Sequence, residues 1–471
     1  MGMDVDVSAV HRRQPGMEPF EVMTSESQER MLAIVAPANR AEVEEVCRRW
    51  EVRASVVGAV TAPAEDGQGR LRILDGPGGQ VLADLPAASL SDDAPLYDRP
   101  MAPPADLAAR RGDDPRALAA PGDCTPDLLA LLGDASWVYR QYDHQLFLNT
   151  VEGPGGDAAV LRLAAPGLPT SERAVALSTD SNPRWCALDP RAGTALTVAE
   201  AVLNVACTGA RAVAVVNCLN FGNPEHPEVM WQLSESIDGM ADACRALAVP
   251  VVGGNVSFYN ESSGVDIDPT PVVGVLGLVE RLTCRPPGVE LVPGQTVILL
   301  GHTEPTLAGS RWAVERRGHR GGMLPTLDYA RHRATVDLVA GLVAGTAVGS
   351  DAAVGSRTGP ALVGGIHDVS GGGLGVAVAE CAVRSGIGCH ISGVEGHAGL
   401  FSESPSRVVL CTGDPETVLA RAGDAGVPAT VLGVAGGDRI VVSGLIDVSV
   451  AEAVRVWKGA LPLALGEPVP G

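Results

Sequence analysis

The feature that most restricts this chain is that part of it occurs twice. Residues 24–37 read TSESQERMLAIVAP and residues 401–414 read FSESPSRVVLCTGD. Both carry SESxxR followed by an apolar, strand-like run. At nearly the same offset, ASVVGAV (54–60) is echoed by ATVLGVA (429–435), and a weaker match pairs VLADLPAASL (81–90) with LIDVSVAEAV (445–454). Three echoes in the same order predict a duplicated domain, because each repeat of a fold reuses the same strand and turn positions. The second copy closes a longer unit that begins near Leu291, whereas only about 25 residues precede the first SES. If the copies are equivalent, the first lacks roughly a hundred residues at its front, and the chain reads as truncated or split.

Between the copies, residues 96–136 are rich in Pro, Asp and Ala and read as a linker, since such a segment cannot sustain a strand or long helix. Residues 137–290 then read as an α/β unit. LTVAEAVLNVACTGA predicts an apolar helix stopped at Gly209, RAVAVVNCLNF a strand, and VPVVGG the next strand. Val229, Leu233, Ile237, Met240, Cys244 and Leu247 recur at helical spacing between those strands. The expected fold class is therefore α/β with α+β layers, divided into 1–95, a linker at 96–136, a domain at 137–290 and another at 291–471.

Several function classes are disfavoured. A formal net charge of -21 does not suit a chain that tracks nucleic acid or lies on an anionic membrane, both of which need a basic face. Ten cysteines without a CxxC pair read as buried hydrophobes in a reducing cytosol. The start, MGMDVDVSAVHRRQ, has no apolar core of signal-peptide length, and no segment offers 18 consecutive apolar residues, so the expectation is a soluble, cytoplasmic protein. Lys458 is the only lysine, which removes a GK[ST] phosphate loop.

Five polar groups stand at the ends of apolar elements. Asp180 lies in STDSNPR, where a plain turn is the simpler reading. Glu200 and Asn204 are four apart on an otherwise apolar helix, hence on one face, where two oxygen ligands would suit magnesium. Asn217, Asn220 and Asn223 surround a glycine in VVNCLNFGNP, as an Asn-rich turn equally would. GGNVS offers Asn255 and Ser257 behind two glycines that admit close approach. In GGIHDVSGGGLG, Asp368 and Ser370 lead through three glycines into a helix, which suggests an anion-binding helix N-terminus.

Taken together, GMEPFEVMTSESQERM, NVACTGARAVAVVNCLNFGNPEHPEVMWQ, PVVGGNVSFYNES and HDVSGGGLGVAVAE resemble phosphoribosylformylglycinamidine synthase, in the form of its large synthetase subunit found in many bacteria. The resemblance runs from about Pro15 to the C-terminus and covers the rear portion of that subunit. It implies two pseudo-equivalent halves, each with an A and a B domain, as in aminoimidazole ribonucleotide synthetase and selenophosphate synthetase. Residues 1–95 would then be the end of the first B domain, 137–290 the second A domain and 291–471 the second B domain. The implied reaction uses ATP and Mg2+ to activate the formamide oxygen of formylglycinamide ribonucleotide as an iminophosphate, which ammonia displaces. A glutaminase subunit and a small third subunit are the implied partners, with a front-half synthetase chain if the enzyme is split.

The resemblance places substrate contacts at Glu26, Ser27, Gln28 and Ser257, ATP contacts at Asn217 and Gly254, and a magnesium ligand at Asn255. An auxiliary nucleotide would take metal ligands from Asp180, Glu200, Asn204 and Asp368, with Thr179 and Ser370 at the nucleotide. The family usually has Asp where this chain has Asn217, and an acidic residue where it has Gly371. None of the nine histidines falls in a matching motif, so no catalytic base is assigned. Two other readings of the same residues are a superfamily homodimer acting on a different substrate and a nonenzymatic nucleotide-binding remnant.

Overall fold

The computed structural model describes residues 1–26, 30–145, 147–169, 171–344 and 362–466. They fall into two units, Met1–Asp98 and Arg99–Gly471. In the first, β1 (Gly2–Asp6) is followed by the helices α1 (Pro19–Thr24) and α2 (Arg40–Arg49), then β2 (Gly58–Thr61), β3 (Arg70–Asp75) and β4 (Gln80–Pro86). The sheet order is β2-β1-β3-β4, with β1 antiparallel to β2 and parallel to β3, and β3 antiparallel to β4.

The second unit opens with α3 (Leu107–Gly112), α4 (Thr125–Leu131) and α5 (Ser136–Arg140). The segment expected to be a plain linker is therefore partly core: Cys124, Leu128 and Leu131 pack with Trp312 and Phe401. The buried Asp127 carboxylate accepts from Trp312 Nε1 at 2.8 Å and from Arg317 Nη2 at 2.5 Å. Prolines and acids rule out a long helix here, but a seven-residue helix with Leu on one side suffices to be captured by an existing core.

Next come β5 (Thr150–Glu152), β6 (Ala159–Arg162), β7 (Ala174–Asp180), α6 (Pro183–Leu188), α7 (Pro190–Ala206), β8 (Arg211–Asn220), α8 (Pro227–Leu247) and β9 (Val251–Ser257). A small hairpin of β10 (Glu261–Ser262) and β11 (Val265–Asp266) leads to β12 (Thr270–Val279). The sheet order is β5-β6-β7-β12-β8-β9. Because β12 runs antiparallel to both β7 and β8, and β9 runs parallel to β8, the strands β7, β8 and β9 all end on the same side. The last layer contains β13 (Thr296–Leu300), α9 (Tyr329–Ala344), β14 (Gly365–Asp368), α10 (Gly373–Ser385) and β15 (Cys389–Ile391). It continues with α11 (Gly396–Phe401), β16 (Val408–Thr412), α12 (Pro415–Asp424), β17 (Ala429–Ala435), β18 (Arg439–Val442), β19 (Ile446–Ser449) and α13 (Val450–Ala464). Its sheet order is β14-β16-β13-β17-β15-β18-β19.

The repeat is visible in three dimensions. The run β17-β15-β18-β19 has the same neighbours and the same antiparallel, parallel, antiparallel directions as β2-β1-β3-β4. The glycine shared by ASVVGAV and ATVLGVA has one cause in both copies. A Cβ on Gly58 would lie 1.9 Å from the Asp4 carbonyl oxygen, and one on Gly433 would lie 1.9 Å from that of His390. The apolar run after SESxxR behaves differently in the two. In the second copy it is β16, held between β13 and β14 and buried throughout. In the first copy residues 31–36 form no strand, and Met31 is 94% exposed. A strand needs a ladder on at least one side, and the four strands of the first unit pair only among themselves.

Helix α7 is the element that builds the site. Its Val198, Val202 and Val205 pack with the β6–β12 sheet, while Leu203, Ala206 and the following Cys207 pack with β13, β16 and α9. A helix covered on both sides is apolar around most of its circumference. That is why Glu200 and Asn204 have so little polar surface beside them: the face they share is internal.

Candidate functional site

Asp180 ends β7 on the side facing α7, because Ser178, two residues earlier and so on the same face, donates its hydroxyl to the Ala201 carbonyl at 2.8 Å. There Asn204 Nδ2 donates to Asp180 Oδ2 at 3.1 Å, while Asn204 Oδ1 is buried with no protein partner. From the other sheet, β14 delivers His367 and Asp368, and the turn into α10 delivers Ser370. A further carboxylate, Asp157, comes from the loop before β6. Ligand atoms of Asp157, His367 and Asp368 lie within 4.8 Å of one another.

The electrostatics of this cluster are unusual. Burial pushes the Asp180 carboxyl up to about 7, against the hydrogen bond from Asn204 and aided by the nearby Asp157. Asp368 is pushed up to about 8 by burial and by Asp157, with His367 opposing. Glu200 rises well above the usual carboxylate range through burial and repulsion from Asp180, Asp368 and Glu403. Burial alone would lower His367, but the Asp157, Glu380 and Asp368 carboxylates around it raise it well above an ordinary histidine. Like charges this close cannot all ionise without a compensating cation. The orphan Asn204 oxygen, the crowded carboxylates and the all-oxygen donor set of Asp157, Asp180, Glu200, Asn204 and Asp368 fit a magnesium ion.

Beside the cluster lies a cavity of about 20 Å³ lined by Glu200, Asp368, Ser370, Glu403, Trp185 and His332. That is room for about one water molecule. His332 is fully buried, held by Ser406 Oγ at 2.9 Å from Nδ1, and burial pushes it down to about 4.

Thr179 alternates to the opposite, exposed face of β7, so it is not brought to the cluster with Asp180. The glycine-rich start of α10 is not simply an open anion site: the Gly372 N–H donates to Glu403 Oε1 at 2.8 Å, and the Arg311 N–H donates to the same oxygen at 2.6 Å. Glu403, the acid of the second SES, thus supplies a built-in acceptor at that helix end. An acidic side chain at position 371 would meet Arg311, since a Cβ on Gly371 lies 3.2 Å from Arg311 Cδ. Arg311 pairs instead with Glu315 at 2.8 Å.

The second group of expected residues is elsewhere. Val273 is the register partner of Asp180 on one side and of Asn217 on the other, and Asn217 is the partner of Gly254. At roughly 4.8 Å per strand, Gly254 lies about 14 Å from Asp180, so these are two sites on one sheet. Asn217 and Gly254 meet directly: a Cβ at 254 would stand 2.0 Å from Asn217 Oδ1. Asn255 and Ser257, two apart, share one face of β9, where Asn255 is exposed and Ser257 Oγ is held by Asn260 Nδ2 at 3.1 Å. From Val251 to Val256, β9 is exposed at the sheet edge, and only its last residue, Ser257, is half-buried. Gly254→Ala is expected to cost about 1–3 kcal/mol in a urea melt by displacing Asn217. Gly253→Ala, whose nearest neighbour is 4.0 Å away, should cost distinctly less.

In the first unit Glu26 is exposed, and Ser27 and Gln28 lie outside the described residues. Sequence reasoning missed Asp157, His367, Glu380 and Glu403. For Asp157 the signal was GGD just before an apolar strand; for His367 it was adjacency to Asp368; for Glu403 it was the repeat itself.

No helix among the described residues is long and apolar enough to cross a membrane. The family model for AIR synthase related protein, N-terminal domain, matches residues 155–279, and that for the C-terminal domain matches both 1–68 and 292–445. The phosphoribosylformylglycinamidine synthase subunit PurL of Moorella thermoacetica is 40% identical over 98% of this chain and 62% of its own length. That of Thermobifida fusca is 41% identical over 99% and 60%. Among solved structures, Thermotoga maritima PurL complexed with ATP matches with a TM-score of 0.58 at 21% identity, over 93% of this chain and 60% of that one. The chain spans about three fifths of the length of these relatives. With both domain models matched, the chain belongs to the AIR synthase-related family, and the relatives it is similar to are PurL subunits.

Proposed function

We propose that this chain supplies part of the synthetase of phosphoribosylformylglycinamidine synthase, converting formylglycinamide ribonucleotide to the amidine with ATP and ammonia in the cytoplasm during purine biosynthesis. The observation that carries the reading is the buried oxygen-donor cluster of Asp180, Glu200, Asn204 and Asp368, set on a chain about 40% identical to PurL relatives. Solved Thermotoga maritima PurL structures with ATP, ADP and FGAR, and a PurLQS assembly from the same organism, support the choice of ligands and the existence of partner subunits.

In the proposed reaction the formamide oxygen takes the γ-phosphoryl group of ATP, ADP leaves, and ammonia then displaces phosphate at the carbon. Little of this is covalent chemistry by the protein; positioning and charge stabilisation carry it. Gly254 admits the nucleotide beside Asn217, Asn255 and Ser257 present oxygens on the exposed face of β9, and Glu26, Ser27 and Gln28 contact the substrate. The cluster at α7 would hold an auxiliary magnesium nucleotide with Ser370 beside it. Magnesium there would neutralise phosphate charge that the surrounding carboxylates would otherwise repel.

The reading also calls for further synthetase sequence, in the same polypeptide or another. The exposed edge strand β9 and the exposed apolar residues 31–36, whose counterpart is buried between two strands, both favour a protein partner that covers them. A glutaminase subunit and a small third subunit complete the proposed assembly. Neither a nucleic acid nor a membrane is a partner, in keeping with the net charge of -21.

Two measurements test this. Turnover of ATP, formylglycinamide ribonucleotide and ammonia should appear only when the remaining synthetase sequence is supplied with this chain; turnover by these residues alone would sink the claim that they are catalytically incomplete. Titration with magnesium nucleotide should give at least tenfold weaker binding for Asp180→Ala and Asp368→Ala than for the unsubstituted chain, and equal affinities would remove the auxiliary site.

A further inference from the structure

We propose that His367 is a positioning residue that ties the loop carrying Asp157 to β14 and α10 and so turns the Asp157 carboxylate into the acidic cluster. The proposal deepens the reading of that cluster as a magnesium-nucleotide site and rests on it. Asp157 sits in a glycine-rich segment, GPGGD, that has only an isolated bridge between Pro154 and Gly156 to shape it. Such a loop does not hold a carboxylate in place by itself. What holds it comes from the other domain. His367 Nδ1 donates to Asp157 Oδ1 at 2.5 Å, the Asp368 N–H donates to Asp157 Oδ2 at 3.3 Å, and Arg384 donates to the Gly155 carbonyl.

The other ring nitrogen, His367 Nε2, is bonded to Glu380 Oε2 at 2.9 Å, so α10 fixes the ring from behind. A histidine with a carboxylate on each nitrogen has no lone pair to offer a metal. Magnesium also prefers oxygen to imidazole. Within the group Asp157, His367 and Asp368, the histidine therefore orients a ligand rather than acting as one. Outer hydrogen-bond partners of this kind typically change metal affinity 10–100-fold when removed.

The test uses the full chain with Mn2+ alone as probe, counted by the paramagnetic resonance of the free ion, together with amide hydrogen exchange over residues 153–158. His367→Ala is expected to weaken Mn2+ binding at least tenfold and to speed exchange in that loop. His367→Gln, which retains one donor toward Asp157, should recover part of both. A variant that merely lost stability would not show recovery confined to these two readouts. Mn2+ affinity within twofold of the unsubstituted chain, with unchanged exchange, overturns the proposal. If the unsubstituted chain binds no Mn2+, the magnesium reading fails, and exchange still decides the clamp: unchanged protection at 153–158 in His367→Ala sinks it. Should His367→Ala fail to fold, Glu380→Gln replaces it, with threefold or greater weakening expected and no change counting against the clamp.

Discussion

Between about pH 6.5 and pH 8.5 the metal-free chain is expected to lose about 2–4 kcal/mol of stability, and saturating magnesium to remove most of that loss. The raised groups are Asp180 from the β6–β12 domain, Glu200 on α7, and His367 and Asp368 from the β13–β19 domain; the charged side chains of Asp157, Glu380, Glu403 and Arg184 face them. Asp180 titrates in the folded chain at about 7 and Asp368 at about 8, each from an ordinary value of 3.8. A carboxyl raised in this way binds its proton more tightly when folded. Its contribution is complete below the unfolded value and is lost as the pH climbs through the folded one. His367, also raised, acts in the same direction above its ordinary 6.5. His332, lowered to about 4, opposes them only below 6.5, and the buried thiols matter only near and above 9. Outside the cluster His226, raised by its hydrogen bond to Asp266, acts in the same direction in this window, so the variant at Asp180 is what assigns the loss to the cluster.

Urea melts at the two pH values, with magnesium and with EDTA, check this, and Asp180→Asn should flatten the EDTA profile. Stability that does not fall with pH, or a fall that magnesium leaves untouched, would refute the charge account of the cluster.

The second large effect separates two arginines that the sequence makes equivalent. In the first SESxxR, Arg30 Nη2 donates to the Ser25 carbonyl at 2.5 Å; in the second, Arg407 Nη2 donates to the Ser402 carbonyl at 2.6 Å. The local hydrogen bond is the same, but the surroundings differ. Arg407 is fully buried, also donates to the Ser404 carbonyl and Thr303 Oγ1, and is pushed down to about 10 by that burial, against the pull of Glu403 and Asp368. Arg30 is exposed. Arg407→Met removes a buried cation and strands the Ser402 and Ser404 carbonyls and Thr303 Oγ1, which should cost about 3–5 kcal/mol. Arg30→Met should cost about 0.5 kcal/mol or less in the isolated chain. Equal losses in urea melts at constant pH would show that the shared motif, not its burial, sets the energetics.

Much of the candidate site was legible because certain residues contradicted their surroundings. Glu200 and Asn204 stood out on an apolar helix, and Asn255 and Ser257 stood out after a strand and two glycines. Asp157 and His367 were illegible for the converse reason. An Asp in a glycine-rich loop is ordinary, and a His before Asp368 looks like part of a strand. Their meeting depends on β14 lying beside a loop more than 200 residues earlier, which no local pattern encodes. Thr179 and Asp180 are adjacent in the sequence but face opposite ways on β7, so only Asp180 joins the cluster.

The duplication, the alternation of strands and helices and the apolar faces were determined by the sequence alone, since all three are periodic and need only local steric and hydrophobic preferences. The tertiary structure alone decided which copy of the repeat is buried, that α7 has two covered sides, and that five carboxylates and one histidine converge between two sheets. Those outcomes come from long-range packing, where a side chain's solvation and charge are set by neighbours remote in the chain.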